Sequence, residues 1–592
     1  MKNAFITAAM CLASLGAFAQ TPFAPLDTNF STTKVIVPAS PLKYDALFVG
    51  NTDYVHINGL DSALAKQNHD FIGYVPSGNN SNRGWMIVNH ETTAKNPKLG
   101  DGGGQTSFEV RWNASAKKWE VLPSIAGKKF HNVDFTGVGG TLNNCGGAHT
   151  LYGTTLTAEE YPPADNKALS SAVSDTSDFT IPAGNGPYSG KTIKKYQNYG
   201  WMVEANPKTA KGIRKYYSMG RYAHEGGYVM ADGKTIYLTD DNTPSVFFKF
   251  VAKKANDYRT GQLYAYKQGA NGIGGSWIAL PNQLDSLLII RDIALKKGAT
   301  SFTRLEWVEL AGNGKFYITE TGNDNANHTS AIALGGNLAY HNQILDTLGG
   351  QAKDYKYADY YGRVLEFDYT TNTIRPYING GNGSNLKTNF SNPDGLASTT
   401  IDGHHFLMIN EDLNGASQNR MPAGPNNGKN ICEVYFIELD KTNPTVDDLS
   451  RFIIGPVGAE TTGGKFTPNG GTYFVNIQHP SSTNVPPFNN STTIAVTGFV
   501  QYIKENKLYK ETLEAAKVGD AKTTEEDAFS IYPNPAAREL HFNKSTDIAI
   551  YDASGMIVKV ERNTNITDIS GLQPGIYFVQ TISGEVQKLV IE

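Results

Sequence analysis

The chain has 592 residues, with 52 basic and 56 acidic side chains and a net charge of −4, which excludes the strongly basic surface that nucleic-acid binding draws on. Sixty glycines, twenty-seven prolines, thirty-one tyrosines and twenty-seven phenylalanines favour strands and tight turns over helix. The length exceeds one ordinary domain, although large β-propellers reach it as single units.

Residues 1–19 read as a secretory signal: Lys2, then the apolar ITAAMCLASLGAF, then Ala17-Phe18-Ala19 as a small-x-small cleavage site. Cys11 lacks the small residues that precede a lipobox cysteine, and no later segment is long and apolar enough to span a membrane. Removing the signal leaves Cys145 and Cys432. A disulfide between them is the default outside the cell. Cys432, however, sits in the apolar run ICEVYFIEL and reads as a buried strand thiol, so Cys145 is expected to be available for a metal.

Residues 20–45 are polar and punctuated by proline, as in a covering arm. GWMIVNHE reads as a strand ending at His90-Glu91, and FEVRWNASAKKWEVL as a hairpin. The stretch from His131 to Glu160 follows, with six glycines, Cys145 between Asn-Asn and Gly-Gly, and Glu159-Glu160 at its end. It is expected to be a long Gly-rich loop that brings backbone close to something.

From there one pattern recurs. Glu225, Asp232-Gly233 and Asp240-Asp241 mark the start, turn and end of one apolar hairpin. Glu306, Asn313-Gly314 and Glu320 mark the next; Asp394, Asp402-Gly403 and Glu411-Asp412 a third; Glu460, Asn469-Gly470 and Gln478-His479 a fourth. Asp-Gly and Asn-Gly between apolar runs are strong hairpin signals. A hairpin's first and last residues lie at the same end, so each module brings polar groups to one rim. Second hairpins lie between them in YGWMVEANPKTAKGIRKYY, SVFFKFVAKKANDYRTGQLYAY and YGRVLEFDYTTNTIRPYI. Inner plus outer hairpin makes a propeller blade, and the fold class is all-β: a β-propeller of about six blades over residues 20–520. A double-sheet sandwich would not explain why the acidic ends share one rim.

Lys504 to Gly519 is the best helical candidate, and residues 521–528, containing KTTEED, read as a linker. Residues 529–592 carry short alternating strands broken by Pro-Asn-Pro, Ser-Gly and Pro-Gly, as in a small β-sandwich domain.

The rim collects Glu91, Cys145, Glu159, Glu160, Glu225, Asp240, Asp241, Glu306, Glu320, Asp394, Glu411, Asp412 and Glu460. So many carboxylates facing one axis repel unless cations neutralise them. Oxygen ligands suit a hard cation such as calcium, and one thiolate suits a transition metal. The paired-histidine spacing of a zinc hydrolase is absent, and His149 stands alone. Arg304 lies two residues before Glu306, so a strand would present both on one face, where a guanidinium suits a phosphate. No serine or threonine stands in a P-loop or nucleophile-elbow context.

The order N-N-C-G-G-x-H-T-x-x-G-T-x-L-T-x-E-E, with NHE at Asn89–Glu91, GRYAHEG at Gly220–Gly226, R-x-E at Arg304–Glu306, NPDGL at Asn392–Leu396 and FTPNGGTYFVNIQHP at Phe466–Pro480, resembles the PhoX family of secreted bacterial alkaline phosphatases. The resemblance spans roughly residues 45–500. It implies a propeller that hydrolyses small phosphate monoesters with iron (Fe3+) and calcium (Ca2+). It further implies Cys145, Glu225 and Glu306 as iron ligands, and Glu91, Glu159, Glu160, Asp394 and Glu460 as calcium or cluster contacts. Arg304 would hold the phosphate, with Arg304 and Cys145 as the catalytic pair. The sequence departs from the family in reading YGTTLTAEE where WGTWLTCEE is common, and in a signal without twin arginines. From Phe529 onward, YPNP, YDxxG and L-x-P-G-x-Y occur in order and resemble the sorting domain of Bacteroidetes type IX secretion substrates, which implies the type IX machinery as partner and a secreted or cell-surface location. Two alternatives remain open from the residues: a propeller enzyme acting on phosphodiesters or phytate, and a calcium-bound surface propeller without activity.

Overall fold

The computed structural model describes residues 26, 31–57, 61–78, 80–269, 274–323, 361–384, 388–412, 431–506, 529–552, 557–581 and 586–592. The expected signal at 1–19 and the linker at 521–528 lie outside them. The chain divides into two compact units, Met1–Tyr509 and Lys510–Glu592.

In the first unit, among the described residues, six sheets of four or more strands share one plan. One strand forms the inner edge of each: His69–Ser77, Asn144–His149, His224–Val229, Leu305–Leu310, Pro393–Ile401 and Glu460–Phe466. These inner strands pack on one another in that order, and the last packs back on the first, so the ring closes. Each is joined by a hairpin to a second strand, of which Thr235–Asp240, Phe316–Glu320, His404–Glu411 and Thr472–Gln478 are four. The turns are those the Asp-Gly and Asn-Gly pairs announce. At Asp402-Gly403 both residues have positive φ, 52° and 87°, the requirement of a two-residue hairpin turn. The unit closes on itself through Lys43–Val49, which pairs antiparallel with Thr492–Thr497 in the sheet of Glu460–Phe466.

Apolar side chains fill the spaces between successive sheets. Phe436, Phe452, Phe466 and Tyr473 pack in one such layer, and Phe48, Phe108 and Phe130 meet Phe474 in the layer at the closing seam. Truncating any of these phenylalanines to alanine costs about 3–5 kcal/mol.

Two expectations are corrected. The stretch from His131 to Glu160 is not one long loop: Asn144–His149 and Thr155–Glu159 pair as an inner hairpin. Gly146 is there for packing, since a Cβ on it would lie 2.6 Å from the Glu225 carboxylate and backbone oxygens of the next inner strand. The helix begins earlier than expected, at Phe499–Asn506, and buries Phe499, Tyr502 and Ile503; the positions from 507 to 519 lie outside the described residues.

The second unit is one five-stranded sheet in which Glu539–Asp552 pairs with Ile557–Asp568 and with Gly575–Thr581. Leu540, Phe542, Ile550, Val579 and Leu589 form its core.

Candidate metal centre

Every inner strand opens on a ligand-type side chain. Asp70, Cys145, Glu225, Glu306 and Asp394 are the second residues of their strands, and Glu460 is the first of its own. The ring of strands therefore becomes a ring of acids with one thiol. These side chains cluster as three overlapping triads, Asp70–Glu91–Cys145, Cys145–Glu160–Glu225 and Glu225–Glu306–Asp394, with ligand atoms within 4.8 Å of one another in each. All of them but Glu225 border a cavity of about 270 Å³ whose walls also include Asp241, Arg304, Asp412 and Glu460.

Hydroxyls tie one inner strand to the next just beneath these acids. Thr239 Oγ1 accepts from Gly226 N–H (2.8 Å) and donates to the Glu306 carbonyl. Thr319 Oγ1 repeats the arrangement, accepting from Trp307 N–H (2.8 Å) and donating to the Asp394 carbonyl (2.7 Å). Gly226 permits the close approach, because a Cβ there would lie 2.7 Å from the Glu306 carbonyl oxygen.

The second strands end on a pair of residues with divided roles. The last strand residue turns into the scaffold: Glu159, Asp240, Glu320 and Glu411 do not border the cavity. Glu159 accepts from Lys215 Nζ (2.7 Å), the Thr141 hydroxyl (3.0 Å) and the N–H groups of Leu142, Gly200 and Trp201 (3.3, 3.0 and 3.1 Å). Both oxygens of Glu159, expected from the resemblance to contact a cation, are thus engaged by the protein's own donors. Glu320 is held by Arg363, and Glu411 by the N–H groups of Ser391 and Glu433 (3.0 and 2.9 Å). The following residue turns inward instead: Glu91, Glu160, Asp241, Asp412 and His479 all border the cavity.

Burial and mutual repulsion dominate the electrostatics. Burial pushes the Asp70 carboxyl up to about 6. Burial, then Asp70 and Asp412, push Glu91 up to about 8. Glu160, Glu225, Glu306, Asp394 and Glu460 are raised well above the usual range, first by burial and then by one another. The Cys145 thiol is pushed up by burial, then by Asp70 and Glu225; it donates to Asp70 Oδ2 at 3.2 Å.

Arg304 borders the same cavity, by a route other than the expected one. It is not in the strand but just before it, at φ +57°, and this kink brings its Nη2 within 2.6 Å of Glu306 Oε1. Asp241 takes the Nε–Nη2 edge at 2.9 and 3.3 Å, and Asp412 lies 3.4 Å from Nη2. Burial alone would lower the guanidinium pKa, but Asp241, Glu306 and Asp412 outweigh it and hold the group firmly charged.

Of the residues singled out from sequence, Glu91, Cys145, Glu160, Arg304, Glu306, Asp394 and Glu460 come together at the cavity, and Glu225 joins them in two of the triads. Asp241, Asp412, Gln478 and His479, expected at the rim as hairpin ends, border it too, whereas Asp70, Asn68 and Tyr161 were not assigned there and belong to it. No disulfide joins Cys145 to Cys432.

The buried, unpartnered atoms test whether this set suits cations. Both carboxylate oxygens of Glu225 and Oδ2 of Asp394 have no hydrogen-bond partner among the described residues. An unpaired buried carboxylate is costly, and a cation relieves it. The donor set of many carboxylates and one thiol fits metal ions.

Residues 45–481 match the family model described as alkaline phosphatase PhoX, and residues 530–592 match the secretion system C-terminal sorting domain. Among solved structures, that of Pseudomonas fluorescens PhoX in complex with vanadate, a transition state analogue, superposes with a TM-score of 0.59 at 20% identity, covering 81% of this chain and 98% of that one. A Dyadobacter fermentans protein of unknown function aligns with a TM-score of 0.38 at 7% identity, over 78% of this chain and 100% of that one. A Trypanosoma rangeli sialidase aligns with a TM-score of 0.35 at 7% identity, over 79% and 61%. A comparison with curated protein sequences found none that matches significantly. The first likeness establishes the first unit as a β-propeller. The sorting domain makes the protein a secreted or cell-surface one. With the family model matching most of its length, the chain belongs to the PhoX family of alkaline phosphatases, metal-dependent hydrolases of phosphoric esters.

Proposed function

We propose that the protein hydrolyses phosphate monoesters outside the cell, with Fe3+ at the thiolate end of the acid ring and Ca2+ at its all-oxygen end. Cys145, with Asp70, Glu91, Glu160 and Glu225 around it, offers the mixed sulfur and oxygen set that a ferric ion takes. Glu306, Asp394 and Glu460 offer only oxygen, which suits calcium. When bound, such cations supply the positive charge that a transferring phosphoryl group needs on its oxygens.

The observation that carries the reading is Arg304. It is the one arginine or lysine among the described residues bordering the cavity, and its Nη1 makes no hydrogen bond among them. Asp241 and Glu306 fix the guanidinium in place, so its remaining N–H groups are available to a phosphoryl oxygen without further ordering. Pseudomonas fluorescens PhoX holding vanadate agrees with this reading. For the second unit we propose recognition by the type IX secretion machinery, consistent with its match to the sorting-domain family.

The test is hydrolysis of p-nitrophenyl phosphate against bis(p-nitrophenyl) phosphate by the metallated protein and by Arg304→Ala. Loss of one well-placed donor costs roughly a hundredfold in kcat/KM, and Arg304→Lys should recover only part of it, because a point charge lacks the planar fork. An alanine variant with full metal content and parental activity would remove Arg304 from the reaction. Preference for the diester would overturn the monoester reading.

A further inference from the structure

Tyr161 stands apart from the other walls of the cavity. Asp70, Glu91, Cys145, Arg304 and Glu306 are buried or largely so, whereas Tyr161 is 54% exposed. Among the described residues it is the only large apolar side chain that is both exposed and part of the cavity wall. Its hydroxyl makes no hydrogen bond among them but feels the charges of Glu160, Asp241 and Arg304, so the face it offers to a substituent at the mouth is the ring.

The backbone holds that ring in place at a cost. Tyr161 has φ +49°, left-handed and unfavourable for an aromatic residue. The chain is pinned on both sides of it. Upstream, Glu160 N–H donates to the Asn143 carbonyl at 3.1 Å, and Asn143 Nδ2 donates to Glu160 Oε2 at 3.2 Å. Downstream, Arg221 Nη2 donates to the Pro163 carbonyl at 2.7 Å, while its Nε donates to the Tyr199 carbonyl at 2.7 Å. Gly200 leaves room for Pro162, since a Cβ there would lie 2.6 Å from the proline ring. A turn built only to leave the hairpin would place glycine or asparagine at such a φ.

We infer that Tyr161 is a specificity-determining residue: its ring, fixed at the mouth of the acid-lined cavity, forms the wall against which a flat, apolar leaving group lies, so aryl and nucleoside-like phosphomonoesters are preferred over aliphatic ones. The inference rests on the monoesterase reading above. If the phosphoryl group sits inward at Arg304, the ester oxygen and its substituent leave through the mouth. The remaining walls there are carboxylates, Asn68, Gln478 and His479. His479 is exposed too, but its imidazole nitrogens face the Gly458 carbonyl and Glu460 Oε2, both at 3.1 Å, which leaves the Tyr161 ring as the apolar surface for a leaving group among the described walls.

The experiment compares p-nitrophenyl phosphate with glycerol phosphate on the fully metallated parent, Tyr161→Asn and Tyr161→Phe, with metal content measured for each. Asparagine suits the left-handed φ and removes the ring; phenylalanine keeps the ring and removes the hydroxyl. The ratio of the two kcat/KM values should fall about tenfold in the asparagine variant, the scale of one stacked aromatic pair, and should persist in the phenylalanine variant. The loss should appear in KM, because stacking holds ground state and transition state alike. An unchanged ratio in Tyr161→Asn, or an equal fall on both substrates, would overturn the inference while leaving the monoesterase reading intact. A parent inactive on both esters would overturn the reading itself, and the inference with it.

Discussion

The Cys145 thiol donates a hydrogen bond of 3.2 Å to Asp70 Oδ2, joining the second residues of two neighbouring inner strands across the gap between their sheets. With no cation present the pair shares a proton: burial and the surrounding acids keep the sulfur a thiol, and the thiol in turn helps Asp70 stay charged. A transition-metal ion bound there would take the place of that proton, with both groups as anionic ligands.

If that ion is ferric, the metallated protein is coloured by charge transfer from the Cys145 thiolate. Cys145→Ser should bleach it and abolish phosphatase activity, read by visible absorption and p-nitrophenyl phosphate turnover. A colourless, active parent removes iron from the proposal, and an active serine variant removes the thiol.

Cation removal should reverse the usual pH trend of stability. Asp70 and Glu91 sit at about 6 and about 8 in the folded, cation-free chain, against about 4 for unfolded carboxylates. Between those values the folded state binds more protons than the unfolded one, so stability falls as pH rises. Protein treated with EGTA and an iron chelator should therefore melt at progressively lower temperature from about pH 5 to about pH 9, while the metallated protein resists. A chelated protein whose melting temperature stays level or climbs over that range would contradict the account.

Glu159 and Glu160 should separate cleanly by mutation. Glu159→Gln strands the Lys215 ammonium, whose side chain is 1% exposed, and losing one partner of such a pair costs about 3–5 kcal/mol. Glu160→Gln removes one repelling acid from the cavity and should lower metal content while sparing the fold of the metal-free protein. Calorimetry and elemental analysis of the two variants decide it; equal metal loss in both would place Glu159 back among the ligands.

A chain ending near residue 528 should keep the propeller folded and active, because the two units form separate compact bodies of contacts. Its delivery across the outer membrane of the native host should fail. Normal surface delivery would remove the sorting role from the second unit.

Four of the six inner hairpins were legible because Asp-Gly and Asn-Gly turns mark their tips, and the acids at their open ends follow from hairpin geometry. What sequence could not divide was the adjacent pair at each second strand's end. Strand alternation sends Glu159 and Glu160 to opposite sides, but only Lys215, brought back by the outer hairpin, shows which side is scaffold.

Asp70 escaped because its hairpin lacks the turn signal. The strands His69–Ser77 and Asn80–His90 meet with a register shift at Pro76/Ser77, and no Asp-Gly or Asn-Gly stands between them. The signal that could have found it is positional: every other inner strand opens on an acid or a thiol, so the sixth should too. Arg304 was recognised for the wrong reason. Its side chain meets Glu306 through a left-handed kink, not through strand alternation, and nothing in TRLEWVEL announces positive φ at an arginine.

Because Lys43–Val49 completes the sheet that carries Glu460, the ring has an open seam until Thr492–Thr497 has been made and has found that early strand. Asp70 and Glu91 come from the first sheet's hairpin and Glu460 and Gln478 from the last sheet's, so the cavity takes side chains from both ends of the ring, although the closing strand pair lies at the outer edge of the last sheet. A nascent or half-exported chain carries the same acids as scattered, hydrated groups, with no more hold on a cation than any acidic loop. If the acids of the cavity hold cations, their capture would wait for the closed ring, and the compartment in which the ring closes would set which ions are at hand.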